Sequence, residues 1–169
     1  MFHYPLKKIA ALALLITLGF SFTGIKVYQA DFSGTWVLNE GKSELGQMGR
    51  AAPTKIVIEQ KAEGTTFTKT QLGMDGSPAT STEMLSNGKE SETSVFNGNG
   101  KKKSVMTWAA DGNTFTVSSK IAISANGQSF DLSSNESWSL GADGKTIILT
   151  NAITTPQGEL TLKCVYDKQ

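Results

Sequence analysis

The sequence predicts an all-β protein, an up-and-down antiparallel β-barrel of eight to ten strands. Three observations predict it. Turn pairs recur at Glu63-Gly64, Asp75-Gly76, Asn87-Gly88, Asn97-Gly98, Asp111-Gly112, Asn126-Gly127 and Asp143-Gly144, with Pro156-Gln157-Gly158 after them. The runs between them are rich in Thr, Val, Ile, Phe and Trp, the composition of strands. No segment carries a helical period. Asn, Asp and Gly accept the left-handed geometry of the turns that join antiparallel strands, so each strand can pair with the next. A long open meander would expose two sheet edges, and closure into a barrel removes them.

Taken in order, the turns delimit ten strands: 32–39, 54–61, 66–73, 79–86, 91–96, 102–109, 114–123, 129–140, 145–154 and 159–167. In the first, Phe32, Trp36 and Leu38 share a face, as do Ile56 and Ile58 in the second. The connection 40–53 is the one long one; either a helical turn or two in its Ser43–Met48 stretch covers one end of the barrel, or it is a disordered loop. The strands of 66–96 carry Thr and Ser on both faces, so period-two patterning assigns no inner face there. Later strands alternate cleanly. Phe115, Val117, Ser119, Ile121 and Ile123 face one way; so do Phe130, Leu132, Ser134, Glu136, Trp138 and Leu140. Leu160, Leu162, Cys164 and Tyr166 form the inner stripe of the last strand.

The first thirty residues have a different composition. Lys7 and Lys8 precede an uncharged apolar run, residues 9–22, and a polar stretch ends at Gln29-Ala30. That is the order of a bacterial-type signal peptide, and the run is short for a transmembrane helix, which needs about 20 residues. The expectation is a signal peptide over 1–30, a barrel domain over 31–169, and a periplasmic or secreted protein with no membrane span after leader removal. An uncleaved anchor is the alternative.

Beyond Ala30 the chain carries 13 basic against 15 acidic side chains, a net charge of −2. Nucleic-acid binding needs a concentrated basic footprint, and none is present. Lys101-Lys102-Lys103 sits beside a turn and reads as a solvated strand end. Cys164 is the only cysteine, so no intramolecular disulfide forms and stability must come from the core. As an apolar-stripe residue it reads as a small buried hydrophobe. The only histidine, His3, lies in the leader. Without His, a nucleophile elbow or a Cys/His cluster, the sequence offers no catalytic constellation, no metal site and no cofactor motif.

Asp31-Phe32-Ser33-Gly34-Thr35-Trp36-Val37-Leu38 resembles the opening of calycins, the lipocalins and fatty-acid-binding proteins, whose shared signature is the Gly-x-Trp unit at Gly34 and Trp36. Leu162-Lys163-Cys164-Val165-Tyr166-Asp167 looks like the last strand of fatty-acid-binding proteins. Glu136-Ser137-Trp138-Ser139-Leu140 with Asp143-Gly144-Lys145-Thr146 looks like bacterial exported lipocalin-like proteins. The resemblance implies that Gly34 and Trp36 build the barrel floor. It also implies an interior that binds a small, mostly apolar molecule. Two departures stand out. The arginine with which fatty-acid-binding proteins hold a carboxylate is replaced by Cys164, and the only arginine, Arg50, lies in the long connection instead of stacking on Trp36. The family's two-helix lid also fits poorly into 40–53.

The candidate ligand-binding residues are Glu136, Trp138, Tyr166, Phe115 and Ile58. Glu136 stands out because parity puts a carboxylate inside, where it needs a hydrogen bond, a cation or a proton. It is either a polar contact at one end of a ligand cavity or a structural acceptor, for example of the Tyr166 hydroxyl. Trp36, Trp108 and Trp138 either line a cavity or fill the core. The functional expectation is reversible binding of a small apolar ligand. The alternative is a filled barrel serving as a structural or protein-interaction module of the cell envelope.

Overall fold

A computed structural model describes residues 28–73, 76–125 and 128–169. The basic start and apolar run of the leader, Asp75 and the Asn126-Gly127 turn lie outside the described residues. The strands are β1 (Gly34–Leu38), β2 (Lys55–Lys61), β3 (Gly64–Leu72), β4 (Pro78–Leu85), β5 (Glu90–Val95), β6 (Gly100–Trp108), β7 (Thr114–Ala125), β8 (Gln128–Leu140), β9 (Thr146–Thr155) and β10 (Gly158–Lys168). All pairing is antiparallel between sequence neighbours, and β1 also pairs with β10, Trp36 opposite Lys168 and Leu38 opposite Tyr166. The result is a nearly closed up-and-down barrel.

Closure is incomplete, which corrects the expectation that the meander loses its edges: β4 and β5 are not hydrogen-bonded to each other. The turn between them accounts for the gap. Gly88 N–H donates to Met106 O at 2.8 Å, and Asn87 Oδ1 accepts from Trp108 N–H at 3.0 Å. The turn therefore docks on β6, and β5 leaves β4. Where other turns are tight, Asx geometry holds them: Asp111 Oδ1 accepts from Asn113 N–H and Asp143 Oδ1 from Lys145 N–H, both at 2.9 Å. Gly112 and Gly144 follow with φ of 68° and 65°, the left-handed region that glycine enters without strain.

One end of the barrel is solid. Phe32 and Trp36 are fully buried, and Phe32 meets Phe115 edge-on at 4.9 Å. Phe115 stacks on Trp138 at 5.6 Å, and Phe67 and Trp108 complete the cluster. Aromatic edge and stacked pairs add to the area that such rings bury. The chain just before β1 seals this floor. Ala30 N–H donates to Gly112 O at 2.8 Å, and Phe32 N–H donates to Gln60 Oε1. The Trp36 indole donates to Phe32 O at 2.9 Å, so its one polar atom is satisfied inside. At Gly34 a Cβ would lie 2.8 Å from Lys168 Cε, and the Lys168 ammonium stands 5.1 Å from the centre of the Trp36 ring. A lysine thus takes the place over the first-strand tryptophan for which the sequence offers no arginine.

The connection from β1 to β2 forms two short 3-10 helices, Glu40–Lys42 and Gly46–Ala51. Its first part runs along β10, and the second helix reaches both β10 and β3 where β1 ends and β2 begins, with Ala52 buried there. Asn39 N–H donates to Val165 O, and Glu44 and Lys163 exchange backbone bonds at 2.7 and 3.1 Å. Leu45 packs against the core from this segment.

Candidate functional site: the barrel interior

The inner face changes character from floor to mouth. Near the floor Trp36, Ile56, Ile58, Phe67, Met106, Phe115, Trp138 and Ile147 are 0–2% exposed. Toward the other end Ile121, Leu132, Ser134, Asn151, Ile153 and Thr155 are only half-buried, and Phe130 and Leu160 reach 40% and 39% exposure. These are inward-parity positions, so solvent reaches into the barrel from this end. A cavity of about 630 Å³ opens there, lined by Ser129, Phe130, Leu132, Thr155, Pro156 and Gln157.

Between floor and mouth lies a layer of paired charges. Lys69 Nζ from β3 donates to both carboxylate oxygens of Glu136 on β8, each at 3.0 Å. The Trp138 indole donates to Glu136 Oε2 at 3.0 Å, and the Lys69 ammonium sits 5.1 Å from that ring's centre. Burial pushes the Glu136 carboxyl up. The charges of Lys69 and Lys102 and the bonds from Lys69 and Trp138 outweigh it, so its pKa falls below the ordinary value. A second pair spans the open seam: Lys102 Nζ on β6 donates to Glu83 Oε2 on β4 at 2.7 Å, with the two side chains 15% and 12% exposed. Ser104 and Ser119 share a buried hydrogen bond of 3.0 Å. Among the described residues two buried oxygens accept no hydrogen bond from a protein group, Glu83 Oε1 and Asn151 Oδ1.

Glu136 and Trp138 thus stand together in the charged layer, and Phe115 and Ile58 belong to the aliphatic and aromatic packing below it. Tyr166 is fully buried, and its hydroxyl donates to Pro53 O at 3.0 Å, tying β10 to the long connection. The Glu136 carboxylate takes its hydrogens from lysine and tryptophan instead. Burial pushes the Tyr166 hydroxyl and the Cys164 thiol up, so both stay protonated at neutral pH. Gly34 and Trp36 sit at the floor.

Lys69, Glu83, Lys102 and Asn151 escaped the sequence reading. Lys102 corrects the reading of the basic triplet as a solvated strand end. Lys101 and Lys103 do point outward, to Glu92 and Glu90. Lys102 points inward, as its parity with Ser104, Met106 and Trp108 required. Lys69 shares parity with Phe67, and Asn151 with Leu149. Those were the available signals, and the Thr- and Ser-rich middle strands masked the first. Among the described residues no group of three or more His, Cys, Asp or Glu side chains could hold a metal, and no helix is long and apolar enough to cross a membrane.

No protein-family model matches the chain, and no curated protein matches it in sequence. Solved structures do match in shape. The fluorescent protein UnaG superposes with a TM-score of 0.51 at 14% identity, over 82% of this chain and 97% of that one. The chain shares the fold of that structure, a nearly closed up-and-down β-barrel, which is the fold expected from the calycin-like motifs. Zebrafish ileal bile acid-binding protein, in complex with cholic acid, gives a TM-score of 0.49 at 18% identity, over 82% of this chain and 98% of that one. Within this barrel the floor, the charged layer and the mouth follow one another along a single axis.

Proposed function

We propose that this protein reversibly binds a small, mostly apolar molecule, taken up through the open mouth into the upper half of the barrel. The gradient of exposure along the inner face carries the reading. Inward-facing Phe130, Leu132, Ile153 and Leu160 are in reach of solvent, whereas equivalent positions at the floor are sealed. Apolar groups on a concave wall gain by covering one another or a ligand, and a cavity of this size is within the range of small-molecule sites. Glu136 and Trp138 form the base of that space, with Lys69 holding the carboxylate. The protein acts by binding and not by catalysis: its interior carboxylates are neutralised by lysines, and Cys164 and Tyr166 are held protonated. In this reading residues 1–30 direct export, and the barrel works in the periplasm or outside the cell.

Titration with Nile red, a neutral apolar dye, tests the proposal. The barrel is expected to bind the dye saturably, with a blue-shifted emission. Leu132→Asp, which puts a charge on the cavity wall, is expected to weaken binding by about tenfold or more, the equivalent of about 1.4 kcal/mol. Absence of saturable binding, or equal affinity in Leu132→Asp, overturns it.

A further inference from the structure

We infer that the polar end of the ligand is a hydrogen-bond donor, a hydroxyl or an ammonium, and not a carboxylate; this rests on the binding function just proposed. The charge pattern of the interior leads there. A barrel that captures an anionic ligand needs an uncommitted cation facing it, because a carboxylate taken out of water must be paired. The two cations of the interior layer are both committed. Lys69 is held by both oxygens of Glu136, and Lys102 by Glu83 at 2.7 Å. Their sum with the two carboxylates is neutral, so the layer offers an incoming anion no net attraction. Lys168 stands over Trp36 at the floor, and Arg50 is exposed, lining a separate cavity of about 380 Å³ beside the long connection with Leu38, Leu45 and Leu72.

What the layer does offer is acceptors. Glu83 Oε1 and Asn151 Oδ1 are buried without a protein donor, a condition that costs free energy until a donor arrives. The Ser134 hydroxyl lies on the same inner face, paired in register with Ile153. Asn151 is four residues below Thr155 on β9, about 14 Å along the strand. That distance suits an elongated apolar body running from the Phe130 and Leu132 wall down to a donor head.

Displacement of Nile red at neutral pH by three amphiphiles of one chain length, dodecan-1-ol, dodecylamine and dodecanoate, tests the inference. Either or both of the alcohol and the amine are expected to displace the dye at concentrations at least about tenfold lower than dodecanoate. The more potent of the two identifies the donor as hydroxyl or ammonium. Asn151→Leu removes one acceptor and is expected to reduce that preference several-fold. Glu83→Gln leaves Lys102 without its counter-charge and is expected to shift the preference toward dodecanoate. Asn135→Ala, on the outer face, is expected to change neither. Dye binding with dodecanoate as potent as the other two, or with none of the three displacing it, overturns this inference and leaves the binding function standing. So does a dodecanoate preference abolished by Arg50→Gln, which would place the carboxylate beside the connection. Failure of the dye itself to bind overturns both.

Discussion

Glu136 is the residue on which sequence and structure meet most closely. Its inward parity was legible from the alternation of Phe130, Leu132, Trp138 and Leu140. Its partner was not, because Lys69 is 67 residues away on the far wall. Removing one member of a buried ion pair strands the other, so Glu136→Gln is expected to cost about 3 kcal/mol in urea denaturation. Replacing the pair together, Lys69→Met with Glu136→Leu, is expected to cost much less, since no charge is then left uncompensated. The same pair sets an acid limit. The folded-state pKa of Glu136 lies below its ordinary 4.5. Its contribution to stability is therefore complete above about pH 4.5 and is lost as pH falls through the folded-state value. Urea midpoints taken between about pH 6 and pH 3 are expected to fall less steeply for Glu136→Gln than for the natural chain. Parallel curves would remove the carboxylate as the source of acid sensitivity.

The strands and their order were legible element by element, because each turn carries its own chemistry and each strand pairs with its neighbour. The gap between β4 and β5 was not, since Asn87-Gly88 looks like any hairpin turn and only its docking on β6 pulls the two strands apart. Across that gap the Lys102–Glu83 pair substitutes for a ladder. Glu83→Gln is therefore expected to speed amide hydrogen exchange in β4 and β5 by about tenfold or more while leaving β7–β10 unchanged. Uniform acceleration across all strands would mean that the pair stabilises the whole barrel and not the seam. The floor is the opposite kind of element, closed by β1 and the segment before it. Trp36→Ala empties a fully buried indole there and is expected to cost about 3–5 kcal/mol. A loss under about 1 kcal/mol in chemical denaturation would show that the floor does not depend on this ring.

At the scale of the molecule, the chain is a one-axis barrel with the residues just before β1, Ala30 to Phe32, built into the closed end. If 1–30 is an export signal, mature protein recovered outside the cytoplasm is expected to start close to Asp31 on N-terminal sequencing; a species that keeps Met1 would identify the segment as an anchor. A start at Asp31 forgoes the Ala30–Gly112 backbone bond, and a cut a few residues earlier keeps it. The sequence by itself determined the class, the ten strands and the up-and-down order. All of these depend on local turn geometry, on period-two alternation and on residues close together in the chain. It determined the inward face of Glu136 for the same reason. Tertiary structure alone decided the rest: that Lys69 and Lys102 turn inward to meet Glu136 and Glu83, that the seam stays open, and that the apolar wall is sealed at one end and exposed at the other. Those outcomes depend on which strands face each other across the barrel. A lysine's buried stem and a threonine's two-faced polarity leave that undetermined until closure brings the opposing walls together.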